Sequence, residues 1–325
     1  MKIIYLLVVF FFCYPAQAQL NYPEAKIETH IFDETGNVIS NATVTIWFTT
    51  LKTNNPWDGQ EDIGLRGISN SKGVFVASHK TLALCGIKVE KDGYYAGRAE
   101  FHMKQHQGNE KWTPWPQIVE IKLRKKVLPI SMYAKTFDYV TLPEIGNPVG
   151  FDLTAGDWVA PHGKGVVKDL IFTFQREFRG RFDFAWNLSV DFQGDGNGWQ
   201  AISIADENPQ SEFRYPRSAP GNGYSQSKMY LACNRTLNNL WETNSTSATN
   251  YFFRIRTQYG EKKEIKSALY GKLLGPIVVN VQSTKTAKLN FTYYLNPTPL
   301  DRNMEFDPEK NLFKSIPWGE SVREP

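Results

Sequence analysis

Hydrophobic and polar positions alternate along most of the chain in short runs. In ATVTIWF, residues 42–48, Val44, Ile46 and Phe48 share one parity while Thr43, Thr45 and Trp47 share the other, the pattern of a half-buried strand. AKIETHIFD, GVFVAS, CGIKVEK and QIVEIKLR repeat it nearby, and RFDFAWNLSVDFQ, GWQAISIA, NYFFRIRTQYG, KSALYGKLLG, PIVVNVQS and AKLNFTYYLNP do so further on. Clusters of Gly, Asn, Pro and Asp separate the runs, and no long stripe of period 3.6 with caps interrupts them. Strands about ten residues apart predict an all-β chain of sandwich or barrel type.

The pattern breaks between Arg124 and Gly150, where basic residues and a proline are followed by LPEIGNPVG. This predicts two β-sandwich domains, at 19–135 and 136–295, the second larger than the first. The proline-rich residues 296–325 are expected to run over the surface as a tail.

The first eighteen residues read differently. One charge at Lys2, an apolar run from Ile3 to Cys13 and the small-x-small end Ala16-Gln17-Ala18 have the layout of a secretory signal peptide, cleaved near Ala18. The apolar run is too short to span a bilayer. Residues 10–12 are all Phe, so the small residues that a lipoprotein signal needs before Cys13 are missing. The expected product is a soluble secreted or periplasmic protein that inserts in no membrane.

The formal charge of the whole chain is +4, with acids and bases interspersed, which gives no footprint for nucleic acid. Cys85 and Cys233 would remain after processing. Their separation gives no reason for their Cα atoms to meet, so two buried thiols are expected in preference to a bridge.

Three segments carry a resemblance. IFDETGNVISNATVTIW (31–47), GISNSKGVFVAS (67–78) and IKVEKDGYYAG (87–97) resemble, in order and spacing, the carboxypeptidase regulatory-like family with its transthyretin-like sandwich. Asp33 to Gly36 and Ser71 to Gly73 read as hairpin turns, and Asp92-Gly93-Tyr94 as a strand closure. The resemblance covers about residues 25–125 and is interrupted by an insertion at 50–64. It implies an accessory module without catalytic residues or a carboxypeptidase metal site. GDWVAPHGKG, ALYGKLLG and YYLNPTPLDRNMEFDPEKNLF make the second region similar to uncharacterised β-rich domains of exported bacterial proteins, which implies no function.

Candidate chemistry is sparse. His102 and His106 have a chelating spacing only on a helix, and their flanks read as strand and loop. No G-x-S-x-G elbow is present, and Cys233 lacks a motif flank. A hydrolase of polysaccharide or peptide, with its site in the second domain, would need two facing acids from Asp157, Asp169, Asp183, Asp191, Asp195, Asp301, Glu305 and Asp307. Aromatics make up 14% of the chain, with nine Trp, which is more than two cores demand. The favoured reading is therefore a non-catalytic protein that binds an extracellular carbohydrate or protein ligand. Trp158, Trp199, Tyr293 and Tyr294 would stack on sugar rings unless they pack in the core, the commoner place for strand aromatics. Asp301, Arg302 and Asn303 would add polar contacts unless Arg302 pairs with a neighbouring acid and the prolines pin the tail to the sandwich. A structural envelope or adhesion component is a third reading.

DFQGDGNGW, residues 191–199, is rich enough in Gly, Asp and Asn to suggest calcium on Asp191, Asp195 and Asn197. The EF-hand pattern fails because Gln193 and Ile202 stand where carboxylates are needed. A hairpin turn is the better reading. No cofactor is expected unless that calcium binds.

Overall fold

The computed structural model describes residues 22–53, 56–107, 110–180, 183–204, 210–226, 229–236, 241–243, 250–281 and 286–325. The expected signal segment lies outside them. The fold is an all-β sandwich architecture. The chain divides into two compact units: residues 1–92 with 96–123, and residues 93–95 with 124–325. The division thus falls twelve residues before the 135/136 boundary suggested by composition. The three residues 93–95 join the second unit because Tyr95 is buried in its core and its N–H donates to the Arg124 carbonyl.

In the first unit, β1 (Glu24–Asp33), β4 (Val74–Lys80), β7 (Gln105–Gln107), β8 (Lys111–Thr113) and β9 (Gln117–Leu123) form one sheet. β2 (Thr43–Leu51), β3 (Gln60–Ile68), β5 (Leu84–Glu90) and β6 (Gly97–His102) build the other, in the order β6-β5-β2-β3. Every second residue of β1 and β2 points inward, so Ile27, Ile31, Val44, Ile46 and Phe48 are fully buried. Of the two expected hairpin turns, Asp33–Gly36 closes a short antiparallel bridge from Phe32 to Val38, but neither turn joins neighbouring strands of one sheet. The chain leaves β1 through the Asp33–Gly36 turn and enters β2 of the other sheet, and Ser71–Gly73 carries it from β3 back to β4 beside β1. Only the 92–94 turn joins neighbouring strands, β5 and β6.

The second unit faces two sheets against each other. One runs β12-β11-β13-β14-β17-β18, from β11 (Pro148–Asp152), β12 (Asp157–Trp158), β13 (Leu170–Gly180), β14 (Asp183–Phe192), β17 (Met229–Arg235) and β18 (Trp241–Thr243). The other runs β10-β21-β20-β19-β15, from β10 (Tyr133–Thr141), β15 (Gly198–Ile202), β19 (Asn250–Tyr259), β20 (Ile265–Asn280) and β21 (Lys288–Asn296). A two-residue strand, β16 (Gln210–Ser211), precedes β17. Between the sheets lies an aromatic core in which Phe151, Trp158, Phe172, Phe291 and Tyr293 meet largely edge to face.

The glycine-rich stretch 191–199 is no hairpin either. It leads from β14 in one sheet to β15 in the other, so it arches across the sandwich. Gly194 and Gly196 take φ of +92° and +74°, conformations that suit glycine. Asn197 pins the arch from within: its amide donates to the Gln193 carbonyl, and its oxygen accepts the Thr257 N–H.

The connection from β11 to β13 is held by a second device. Arg256 donates to both Asp152 (3.0 Å) and Asp169 (2.7 and 2.8 Å). Burial works to raise the Asp152 carboxyl. The Val167, Val166 and Ala155 N–H groups and the Thr154 hydroxyl outweigh it, keeping the group well below the usual carboxylate range. Arg256 itself sits at φ +52°, strain that the three-residue knot offsets. Replacing it by Met leaves two buried carboxylates without their cation. R256M is expected to destabilise the second unit by about 3 kcal/mol in chemical denaturation, whereas a surface change such as K310M leaves the midpoint unmoved.

Candidate functional site

The five-stranded sheet of the second unit is buried on both faces. Phe253, Ile255, Leu273 and Tyr293 point into the sandwich. Their neighbours of opposite parity, Phe252, Arg254, Tyr270, Lys272 and Tyr294, face outward, as does Gln200, which stands across from Phe252. Non-strand segments cover this outer face: Phe213, Tyr215 and Ala219 from one stretch of chain, and Met304, Phe306 and Val322 from the C-terminal region.

At the centre of the cover lies Lys272, which is fully buried. Its ammonium stands 4.3 Å from the Tyr294 ring, 4.7 Å from Tyr215 and 5.2 Å from Phe213, and it donates to the Met304 carbonyl at 3.0 Å. Burial pushes its pKa down to about 7; the charge of Arg124 adds to the shift and Glu305 opposes it. Arg124 stacks on the same Phe213 at 4.5 Å while donating to the carbonyls of Phe213 and Tyr215. Glu305 is equally buried, and its carboxylate accepts the Val127 and Leu128 N–H groups. This centre is closed to solvent and works as a clamp, fixing the covering segments to the sheet.

Where the cover ends, two more cations meet. Arg254 is 7% exposed and donates to the carbonyls of Gly196 (2.7 Å) and Gly221 (3.3 Å), with its guanidinium 4.8 Å from the Tyr224 ring. Arg302 is exposed and donates to the Ala219 carbonyl at 3.1 Å. Its terminal nitrogen lies so close to Gly221 that a Cβ there would stand 3.2 Å away. Among the described residues, no carboxylate pairs with either guanidinium. Both positive charges bear on the Tyr224 hydroxyl, although burial dominates that group and raises its pKa.

Residues 221–223, Gly-Asn-Gly, form the exposed shelf between these groups. The glycines keep its backbone open, and a Cβ on Gly223, at φ +83°, would stand 3.5 Å from the Gln200 carboxamide oxygen. The Gln200 carboxamide oxygen is buried and accepts no hydrogen bond among the described residues. Two guanidinium groups, an unused acceptor and an aromatic ring thus surround one open loop. That set suits an anionic, hydroxyl-rich ligand.

All four candidate platform aromatics are core residues, including Trp158 and Trp199, whose position after glycine-containing turns suggests exposure. Trp158 (4% exposed) packs edge to face on Phe151 and Phe172. Trp199 (7% exposed) packs on Phe192 and Tyr251 and is covered by a two-way backbone bridge to Ser225. Tyr293 donates to the Leu153 carbonyl between the sheets, and Tyr294 lies under Lys272. They form no platform, because Trp158, Trp199 and Tyr293 point between the two sheets and Tyr294 lies beneath the covering segments.

The polar trio divides. Asp301 accepts from the Asn296 amide and the Asn303 N–H, and Asn303 bonds the Leu128 carbonyl and the Glu305 N–H, so both brace the C-terminal segment. That segment is no mere surface tail, since Met304, Glu305 and Phe306 are buried. Arg302 alone faces out. Of the calcium candidates, Asp191 bonds the Phe192 N–H, Asp195 is exposed, and Asn197 is committed to the arch. No cluster of three or more His, Cys, Asp or Glu placed to hold a metal occurs among the described residues. His102 is exposed on β6, His106 falls in β7, and Cys85 and Cys233 are free and buried. Among the described residues no helix is long and apolar enough to cross a membrane.

Sequence reasoning missed Arg254, Lys272, Gln200 and Tyr224. A signal existed for the first two, because each interrupts an apolar strand, YFFRIR and ALYGKLLG, on a parity shared with aromatics. Gln200 and Tyr224 carried none.

No protein-family model matches the chain, and no curated protein does. Solved structures similar to it include the shaft pilin SpaA of Lactobacillus rhamnosus GG, at 10% identity over 58% of this chain and 94% of that one, with a TM-score of 0.23. A "putative carbohydrate binding protein" of Bacteroides uniformis matches at 11% identity over 84% and 99%, with a TM-score of 0.17. A "putative membrane-associated protein of unknown function" from Bacteroides fragilis matches at 13% identity over 85% and 99%, with a TM-score of 0.15.

The clamp has a pH signature. Between pH 7 and the ordinary lysine value of 10.5, the unfolded chain holds a proton that folded Lys272 has shed, so stability rises with pH across that window. Below about 7 both states are protonated and the full burial penalty applies. The stability difference between the wild type and K272M, from urea denaturation at each pH, is expected to shift in favour of the wild type from pH 7 towards 10. Parallel profiles would contradict the buried ammonium.

Proposed function

We propose that this chain is an exported, non-catalytic binding protein whose second unit holds an anionic extracellular carbohydrate at Arg302 and Arg254. The observation that carries the reading is the convergence of two guanidinium groups, without a carboxylate partner among the described residues, on the exposed Gly221–Gly223 loop. Arginine forks match carboxylate and sulfate oxygens, and the low exposure of Arg254 strengthens such a contact over one made in open water. Tyr224 offers a ring edge and Gln200 an acceptor for sugar hydroxyls. The first unit, which resembles the carboxypeptidase regulatory-like family, is the accessory module of this protein.

A hydrolase would draw on a pair of facing acids. Asp152 and Asp169 do meet, but both are buried, and Arg256 and backbone N–H groups occupy their oxygens in holding the β11–β13 connection. They are structural carboxylates.

Affinity electrophoresis in gels containing polygalacturonate tests the reading, with uncharged dextran as the control. The protein is expected to be retarded by the acidic polymer alone, less so as salt rises. R302Q removes an exposed charge without disturbing the core and is expected to weaken retention about tenfold, the loss of one charge-assisted contact. Equal retardation in dextran, or retention unchanged in R302Q, would overturn it.

A further inference from the structure

The edges of the sheets differ in how they end. β15 has five residues, β12 two, β7 and β18 three, and β10 is broken by a register shift between Phe137 and Val140. Short and irregular edges are common devices against unwanted strand pairing. β3 has neither protection. Its nine residues pair with β2 in unbroken register, from Gln60 opposite Leu51 to Ile68 opposite Thr43, and β3 ends the sheet. Among the described residues no strand pairs with its other edge, and six of its nine residues are exposed.

The charges on β3 follow a pattern that an unused edge does not require. Glu61 and Asp62 stand near one end and Arg66 near the other, all exposed, with Gly64 midway. When such a strand meets a second copy of itself antiparallel about a two-fold axis at Gly64, residue 62 of each copy lies directly across from residue 66 of the other. Two Asp62–Arg66 pairs form, one on each side of the axis. The register is also admissible for the backbone: a two-fold axis through a residue pairs positions of equal parity, so outward N–H and C=O groups meet outward groups.

Side chains permit the approach. Gly64 puts no Cβ at the axis, and the Trp47 ring lies flat over it, with its nitrogen 3.1 Å from where a Cβ would stand. Two such rings would close over the junction from the two copies. Ile63 and Leu65, half-buried at the rim of each sandwich, would sit across from each other and lose water. Arg66 makes no hydrogen bond or ion pair among the described residues, and Asp62 has one committed oxygen, which accepts from the Thr49 hydroxyl. The edge strand β4 shows the contrast. Its only ionisable residues are His79 and Lys80, so self-pairing would offer it no opposite charge.

From this complementarity we infer that the first unit carries a self-association edge: two copies of the chain join β3 to β3 antiparallel, with Asp62 facing Arg66 of the partner copy, into one continuous sheet. A second copy is the occupant, because the charge pattern is complementary to its own reversal. A single nine-residue edge lies at the small end of interface sizes, so the dimer is weak.

Sedimentation velocity on the purified protein, from about 1 μM to about 1 mM, covers the range of such contacts. The wild type is expected to pass from monomer to dimer within it. D62K and R66E each place like charges across the axis, and each is expected to stay monomeric or to move the midpoint up at least about tenfold. Mixed one to one, the two variants regain opposite charges at both pairs and are expected to form a heterodimer, which also shows that neither had lost its fold. A wild type that stays monomeric throughout, single variants that dimerise as the wild type does, or a mixture no more associated than its parts would each overturn the inference.

Discussion

The second unit depends on the burial of both faces of its five-stranded sheet. A sandwich sheet ordinarily has one face in the core and one in water. Here residues 213–224 and 300–324 lie on the outer face, and they carry too little regular structure to hold themselves there. Hydrogen bonds from two cations of the sheet, Lys272 and Arg254, and from Arg124 outside it make up the difference. Lys272 reaches the Met304 carbonyl, while Arg124 holds the carbonyls of Phe213 and Tyr215; Arg254 fixes Gly221. A buried ammonium is destabilising unless its charge is met. Three rings, one carbonyl and the nearby Glu305 meet it only in part, which is why its pKa falls.

The open site follows from the same arrangement. Cations placed on the outer face to tie down the covering segments are satisfied by neutral carbonyls, not by carboxylates. At Lys272 the cover is complete and the charge is sealed in. At Arg254 and Arg302 the cover ends at a glycine-rich loop, so charge and unused hydrogen-bonding capacity lie beside solvent. Structural clamp and candidate binding site are one device at two depths. The Asp152–Asp169–Arg256 knot works by the opposite rule, with opposite charges paired and buried, and offers no such opening.

Alternation was enough to identify the strands and the all-β class, because period-two burial depends only on local geometry: Val44, Ile46 and Phe48 point where ATVTIWF says they should. Strand pairing was not legible in the same way. Tight turns at 33–36, 71–73 and 193–197 read as hairpins, yet each passes the chain between sheets, a choice made by long-range packing that no turn residue records. Exposure of Trp158 and Trp199 was misjudged for a related reason, since a glycine before a strand says nothing of what covers that strand. Of the candidate residues, Arg302 stayed at the surface. Arg254 and Lys272 were visible as charges in apolar strands, though their meaning required the covering segments, which have no pattern of their own.

Amide hydrogen exchange read by mass spectrometry tests the covered face most directly. The Met304 N–H donates to Arg217, Asp307 to Ile130 and Ala219 to Arg302. Peptides spanning 213–219 and 302–307 are therefore expected to exchange on the slow timescale of β20 and β21, far behind the exposed loop at 221–223. Exchange of 302–307 as fast as that loop would contradict the account.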